Sequence, residues 1–328
     1  MQPIFSILIP SYNRPSYIKK TIDSVLLSSY PNFELIISDD NSPASIEILK
    51  VINSFNDKRI KFYNQSSNLG EALNRQFLID KSISEWKIIL CDDDLLHKDA
   101  LLILSKQIDL KKDVDLFLFG YKLIDQNDKN LSKHKALFGL NIDYHNTSLI
   151  KEILKFDIFP YKFFSPVTFC FNNNISNNVK SSLDVGMADD LTFLVDIFLG
   201  NYKSYIIPKY MMSYRKLQNG NKGLDNQINI SLSFKDQVIA KSLMYNYIIK
   251  KYGNDIIYSE YLNSFKYKFD FLLISYTNKS IATYFKKNLN LFTDKELKKI
   301  RSYKKYYFIN FYITKINRLF NLIKVYIG

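Results

Sequence analysis

The chain has 328 residues, 47% hydrophobic and 23% charged, which excludes a chain disordered over most of its length. Only 9 Gly and 8 Pro exclude a collagen- or linker-like chain, and the two cysteines, Cys91 and Cys170, with 3 His exclude a disulfide framework and a soft-ligand metal centre. The balance of 45 Lys+Arg against 32 Asp+Glu, a net +13, points to nucleic acid, an anionic membrane or an acidic substrate.

The first half alternates strand-like and helix-like segments. Phe5–Ile9 is a short apolar run ended by Pro10. Ser16 can cap a helix from Tyr17 to Ser29, in which Ile18, Ile22, Val25 and Leu26 recur near helical spacing. Phe33–Ser38 is a second strand, Ser45–Phe55 a helix and Ile60–Tyr63 a third strand. Glu71–Ile83 reads as helix, Trp86–Leu90 as strand, Lys98–Leu110 as helix and Asp115–Tyr121 as strand. The pattern blurs over 126–164, then gives a strand at Val167–Phe171 and a helix at Asp189–Leu199.

Such alternation predicts an α/β fold with a mostly parallel sheet and helices on both faces. Ligands of these sheets bind beyond the carboxyl ends of the strands. That rule places Pro10–Asn13, Asp39–Ser42 and Cys91–Leu95 on one rim.

The polar stretch Gln218–Asn229 reads as a loop, so residues 1–217 are expected to form a catalytic domain and residues 218–328 a helical C-terminal region. No segment approaches the ~18–20 apolar residues that span a bilayer. The N-terminal MQPIFSILIP lacks the basic n-region and long apolar run of a secretory signal. The expectation is a cytoplasmic protein.

Asp92, Asp93 and Asp94 directly follow the strand WKIIL. Adjacent carboxylates repel, and a hard divalent cation on oxygen ligands offsets that cost. The other reading is a solvated acidic turn. On the same rim, the Asp39–Asp40 pair either binds a base ring N–H or forms an Asx turn that caps the next helix. Tyr12, after the first strand, could stack on a base or belong to a plain turn. Asn68–Leu69–Gly70 opens a helix with Arg75 one turn on, an arrangement suited to an anion such as a diphosphate, or to nothing more than a helix start. GxGxxG and GxxxxGK[ST] are both absent.

In order and spacing, SILIPSYNRPSYIKKTIDSVLLSSYPNFELIISDDNSP, NLGEALNRQF and WKIILCDDDLLHKDAL resemble family 2 glycosyltransferases of the GT-A fold, especially those of bacterial surface-polysaccharide synthesis. The motifs lie in about the first 120 residues and the likeness extends loosely to about residue 215. The resemblance implies that Pro10, Tyr12 and Arg14 line the nucleotide site, that Asp40 holds the base, and that Asn68, Gly70 and Arg75 lie near the diphosphate. Gln76 replaces the usual Asn there. The family's DxD falls on Cys91–Asp92–Asp93, so a Cys stands at its first position. Asp93 then matches the metal-binding Asp, Asp92 the ribose contact, and Asp94 could compensate as a metal ligand. The acidic pair Asp189–Asp190 matches the catalytic region, with Asp190 as base. Tyr214–Arg215 matches a Tyr-Arg pair that in relatives often precedes a His near the diphosphate, and Lys216–Leu217–Gln218 supply no His here.

The implied activity is metal-dependent, inverting transfer of a sugar from a nucleoside diphosphate, expected to be UDP, with Mn²⁺ or Mg²⁺ as cofactor. The implied acceptor is a glycan or a polyprenyl-diphosphate-linked oligosaccharide in O-antigen, capsule or lipopolysaccharide synthesis. The rival readings are a catalytically degenerate nucleotide-sugar-binding module and a sugar-nucleotide nucleotidyltransferase. The latter would need a Gly-rich phosphate loop, and PSYNRPSY supplies none. The segment Glu296–Gly328 mixes Lys and Arg with Tyr, Phe, Ile and Leu at near-helical spacing, which suits an anionic membrane surface or packing on the catalytic domain. Peripheral placement on the inner face of the cytoplasmic membrane is therefore expected. No nucleic-acid recognition motif is present.

Overall fold

The structure is a computed structural model, and it describes residues 3–131, 169–180 and 202–215, together with residues 193, 196, 197, 200 and 251. The chain divides into two compact units, Met1–Ser233 and Phe234–Gly328. The expected C-terminal helices and the basic segment from Glu296 lie outside the described residues, as do Asp189 and Asp190.

The elements in chain order are β1 (Phe5–Ser11), α1 (Pro15–Leu26), β2 (Phe33–Asp39), α2 (Ser45–Asn53), β3 (Ile60–Asn64), α3 (Glu71–Lys81) and β4 (Trp86–Ile89). There follow β5 (Leu95–Leu96), α4 (Ala100–Leu110), β6 (Leu116–Ile124), β7 (Phe169–Phe171), α5 (Asn173–Asn178) and β8 (Ser204–Arg215). Among the described residues they build an eight-stranded sheet of order β3-β2-β1-β4-β7-β6-β8-β5. The β3-β2-β1-β4 half is parallel throughout, and β6 also runs parallel to β8. β7 is antiparallel to both β4 and β6, and β5 is antiparallel to β8.

Alternation within β1 shows why the parallel strands are largely apolar. Ile7 and Ile9 join the core under α1, α2 and α4, with Ile18, Ile22, Ile48 and Leu101. Leu8 faces the other way, with Leu78 and Ile79 of α3, Phe171 and Ile175. Both faces are covered, so the carboxyl rim is the place left for a ligand.

Helix α1 begins two residues earlier than Ser16 capping predicts. Pro15 takes the first helical position and Arg14 the N-cap, with no side-chain cap bond. Proline's fixed φ and missing N–H suit that position. Strand β8 is not evident in the sequence pattern, because Pro208 interrupts it. The pairing with β6 jumps from Phe119–Ile207 to Gly120–Tyr210, so Pro208 falls in a bulge where no ladder N–H is needed.

Candidate active site

Each rim segment folds as its residues dictate. Asn13 and Asn41, just beyond β1 and β2, take positive φ of 59° and 53°. Asparagine tolerates that region better than other residues with a side chain. The chain thus turns sharply off both strands. The Asp40 N–H then donates to the Ser11 carbonyl at 3.0 Å and ties the two turns together.

The two acids after β2 take different tasks. Asp39 accepts from the Ser42 N–H and hydroxyl and from the Ser45 hydroxyl, so it organises the start of α2. Asp40 turns to the loop before α3. Its Oδ1 accepts from the Leu69 N–H at 2.7 Å and its Oδ2 from the Gly70 N–H at 2.9 Å. Asn68 Nδ2 donates to the Asp40 carbonyl at 3.2 Å. Burial raises the Asp40 carboxyl above its ordinary range, against the pull of those two N–H groups. Arg75, one turn into α3, is buried beside Phe193 and forms an ion pair with Glu71 at 3.7 Å.

The three acids after β4 are all buried, and two arginines frame them. Asp92 accepts from the Ser11 hydroxyl at 3.0 Å, the Tyr12 N–H at 3.1 Å and Arg14 Nη1 at 2.9 Å. Its carbonyl accepts from the Thr21 hydroxyl at 3.0 Å. Asp93 meets Arg14 at 3.5 Å. On the far side, the Arg215 N–H donates to Asp94 Oδ1 at 2.8 Å and Arg215 Nε to the Asp93 carbonyl at 2.7 Å. The second oxygen of Asp94, Oδ2, is buried without a hydrogen-bond partner.

Burial dominates the electrostatics. It pushes the Asp93 carboxyl up to about 6, Arg14 acting against it and the Asp92 charge with it. Burial and the Asp93 charge raise Asp94 well above the carboxylate range. Burial, with the Asp94 and Asp93 charges, also drives the Cys91 thiol up. Burial alone would lower the Arg14 guanidinium, but Asp92 and Asp93 outweigh it and keep Arg14 charged.

Two arginines therefore hold the acidic loop, Arg14 through the Asp92 and Asp93 carboxylates and Arg215 through the Asp93 carbonyl and, by its backbone N–H, Asp94 Oδ1, while Asp94 Oδ2 is left without a hydrogen-bond partner. Hard oxygen donors fit a divalent cation, whose charge would favour the ionised form of these acids. Among the described residues, no group of three or more His, Cys, Asp or Glu side chains is arranged so as to hold a metal ion by itself. An ion such as Mg²⁺ does not need such a group, since it keeps waters and shares its shell with substrate phosphates.

The structure thus brings Pro10, Tyr12, Arg14, Asp40, Asn68, Gly70, Arg75, Asp92, Asp93 and Asp94 to the rim of one sheet. A model described as Glycosyl transferase family 2 matches residues 6–173, just over half of the chain. The chain belongs to glycosyl transferase family 2.

Among family 2 relatives, the GalNAc(5)-diNAcBac-PP-undecaprenol beta-1,3-glucosyltransferase of Campylobacter jejuni is 28% identical over 214 residues, 65% of this chain and 65% of its own. A putative teichuronic acid biosynthesis glycosyltransferase of Bacillus subtilis, TuaG, is 31% identical over 40% of this chain and 52% of its own. An uncharacterized glycosyltransferase of Rickettsia conorii is 32% identical over 45% of this chain. The chain spans less than half the length of several rickettsial relatives, 24% of that one and 40% of one from Rickettsia typhi. In fold the chain is similar to Staphylococcus aureus TarS 1-349 in complex with UDP-GlcNAc, with a TM-score of 0.59, 19% identity and coverage of 80% of this chain and 72% of that one. It is also similar to a mannosyltransferase of Pyrobaculum calidifontis in complex with GDP-Man and Mn²⁺, with a TM-score of 0.53, 13% identity and coverage of 94% and 86%. The architecture is that of the GT-A glycosyltransferases.

The sequence motifs alone do not reveal three parts of this family 2 site. Thr21 and Ser11 hold Asp92, and their hydroxyls carry no local signature. His97 bridges the Tyr210 carbonyl and the Ser213 hydroxyl, 3.0 Å from each, and so pins β5 to β8. Arg215 reaches the Asp93–Asp94 segment rather than standing only beside Tyr214. No helix among the described residues is long and apolar enough to cross a membrane.

Proposed function

We propose that the chain transfers a sugar from a nucleoside-diphosphate donor, UDP-linked, to a hydroxyl of a glycan or polyprenyl-diphosphate-linked acceptor, with inversion at the anomeric carbon, in bacterial surface-glycan synthesis. The observation that carries this is the rim itself: Asp40 set against the α3 loop, and Asp93 with the unpartnered Asp94 Oδ2 framed by Arg14 and Arg215. The names of the family relatives support a surface-glycan acceptor, and the UDP-GlcNAc complex of a neighbour of the same fold supports the donor class.

In this reading Asp40 accepts the base N–H through a lone pair left over from Leu69 and Gly70, since a carboxylate has about four acceptor sites. Tyr12 and Pro10 flank the base. The ribose lies against Asp92. Arg75 and the start of α3 hold diphosphate oxygens and orient the leaving group. Asp93 and Asp94 would hold Mn²⁺ or Mg²⁺, which when bound supplies Lewis-acid stabilisation of the departing diphosphate. Asp190, with Asp189 beside it, takes the proton of the acceptor hydroxyl, a contribution of typically ~10²–10⁴-fold. A single displacement on the face opposite the leaving group inverts the configuration. The basic C-terminal segment would lie on the inner face of an anionic membrane and bring the site to a lipid-linked acceptor.

Calorimetric titration with UDP, GDP, dTDP and CMP, with and without Mn²⁺, tests the donor site on wild type and Asp93→Ala. The expected result is metal-dependent binding of UDP whose metal dependence is lost in Asp93→Ala. Binding of no nucleotide, or binding indifferent to metal and to Asp93, would reject the reading in favour of a degenerate binding module.

A further inference from the structure

Arg215 ends β8, and its side chain is fully buried, at 0% exposure, against a half-exposed Asp128. Two of its donors go to the acidic loop: the N–H to Asp94 Oδ1 at 2.8 Å and Nε to the Asp93 carbonyl at 2.7 Å. Nη1 points to the turn after β6, where it donates to the Asp125 carbonyl at 2.8 Å and meets Asp128 Oδ1 at 2.6 Å. Its guanidinium carbon lies 5.0 Å from the centre of the Tyr17 ring. That turn is itself fixed. The Asp125 carboxylate accepts from the N–H groups of Asn127 and Lys129, and Lys20 of α1 reaches Asp128 Oδ2 at 2.6 Å.

A guanidinium is a rigid plane with donors in set directions. Once Nη1 is seated on the Asp125–Asp128 turn, the direction of Nε is determined. The place of the Asp93 carbonyl follows, and with it the peptide that joins Asp93 to Asp94. Rotation of that peptide would carry the Asp93 carbonyl off Arg215 Nε and disturb Asp94. An ammonium group has one point of charge and cannot hold two segments at fixed separation.

We propose that Arg215 is a positioning residue that fixes the Asp93–Asp94 segment to the Asp125–Asp128 turn, so that the Asp93 carboxylate and Asp94 Oδ2 meet a divalent cation as a pre-set pair. This rests on the donor-site reading above and adds a residue to which that reading gives no contact with donor or metal. The fork geometry, rather than positive charge alone, does the positioning.

The test is a Mn²⁺ titration followed by electron paramagnetic resonance, with and without UDP, on wild type, Arg215→Lys, Asp128→Ala and Asp93→Ala, with thermal melts alongside. Wild type is expected to bind Mn²⁺ with UDP, and Asp93→Ala to lose it. Arg215→Lys is expected to fold, to keep wild type's weaker, metal-free binding of UDP, and to bind Mn²⁺ about 10–100-fold more weakly, as loss of partners behind metal ligands typically does. Asp128→Ala, which removes one of the two acceptors of Nη1 together with the Lys20 ion pair and leaves the Asp125 carbonyl, is expected to weaken Mn²⁺ in the same direction by a smaller factor. A folded Arg215→Lys with wild-type Mn²⁺ affinity overturns the proposal. If Arg215→Lys does not fold, wild-type Mn²⁺ affinity in Asp128→Ala overturns it instead. If wild type binds no Mn²⁺ with UDP, or Asp93→Ala binds it equally well, the donor-site reading itself fails, and the role of Arg215 falls with it.

Discussion

Arg14 Nη1 lies 2.9 Å from Asp92 Oδ1, and the Asp92 carboxylate is almost fully buried beneath it. Its other oxygen is held by Ser11 and the Tyr12 N–H. The guanidinium is the charge that makes burial of this acid tolerable.

Arg14→Met therefore leaves a buried carboxylate without its counter-charge. Breaking a buried pair from one side costs about 3–5 kcal/mol. The lower figure is expected here, because the Arg14 side chain keeps 18% of its surface in water. The urea midpoint should fall with an unchanged slope, and the melting temperature should drop by roughly 6–12 °C.

Gly70 carries φ 82° and ψ 159°, a region essentially closed to residues with a side chain. A Cβ there would meet nothing within 4 Å. The cost of Gly70→Ala is thus backbone strain alone, ~1–3 kcal/mol. Gly70→Asn should cost about as much, because asparagine's tolerance belongs to the left-handed helical region and not to this one. Urea unfolding of both variants measures it. UDP affinity should fall in both, since the Gly70 N–H holds Asp40 Oδ2.

Glu34 is buried at the end of the sheet away from the rim, with Ser6, Lys61 and the Ile83 N–H as donors. Burial alone would raise its carboxyl, but these donors outweigh it and hold Glu34 below its ordinary value. The folded state then binds its proton less readily than the unfolded chain. The stabilisation is full above the ordinary glutamate range and is lost as pH falls through the lowered folded value. Lys61→Met should cost about 1–2 kcal/mol at pH 7, reduced from the buried-pair range because the Lys61 side chain is 40% exposed. The gap from wild type should close as the urea melts are repeated at falling pH.

Lys87 behaves in the opposite sense. Burial lowers its ammonium to about 8, although Nζ donates to the Ser84 carbonyl and to Asn173 Oδ1. Between that value and the ordinary lysine range, the unfolded chain holds a proton that the folded chain has released. Stability contributed at this site therefore rises with pH across that window. Relative to Lys87→Met, wild type should gain about 2 kcal/mol between pH 8 and pH 10 in urea melts.

The parallel half of the sheet was readable because local and tertiary signals agree there. β1, β2 and β4 are short apolar runs, and buried Ile18, Ile22 and Val25 of α1 keep helical spacing. The rim followed from strand order, so Asp40, Asp92, Asp93 and Asp94 could be placed before any coordinates. β8 was hidden by Pro208, which contradicts a strand locally and is accommodated by a bulge seen only once β6 is alongside. β5 is two residues long and has no periodicity to detect. The link from Arg215 to Asp93 joins residues 122 apart in sequence, with no motif between them. The division of labour between Asp39 and Asp40 depends on Asn41 at positive φ, which aims one acid at α2 and the other at Leu69 and Gly70.

The placement of β5 and β8 at one edge of the sheet sets an order of assembly. β1 to β4 and Arg14 lie within the first ninety residues and can pair as soon as they emerge, and that is enough to hold Asp92. Asp93 and Asp94 wait for the last residue of β8, more than a hundred residues later in synthesis. Contacts of such separation close late and slowly. A nascent chain thus fixes Asp92 well before Asp93 and Asp94, and it passes through a stage in which the acidic loop is made but not yet shaped.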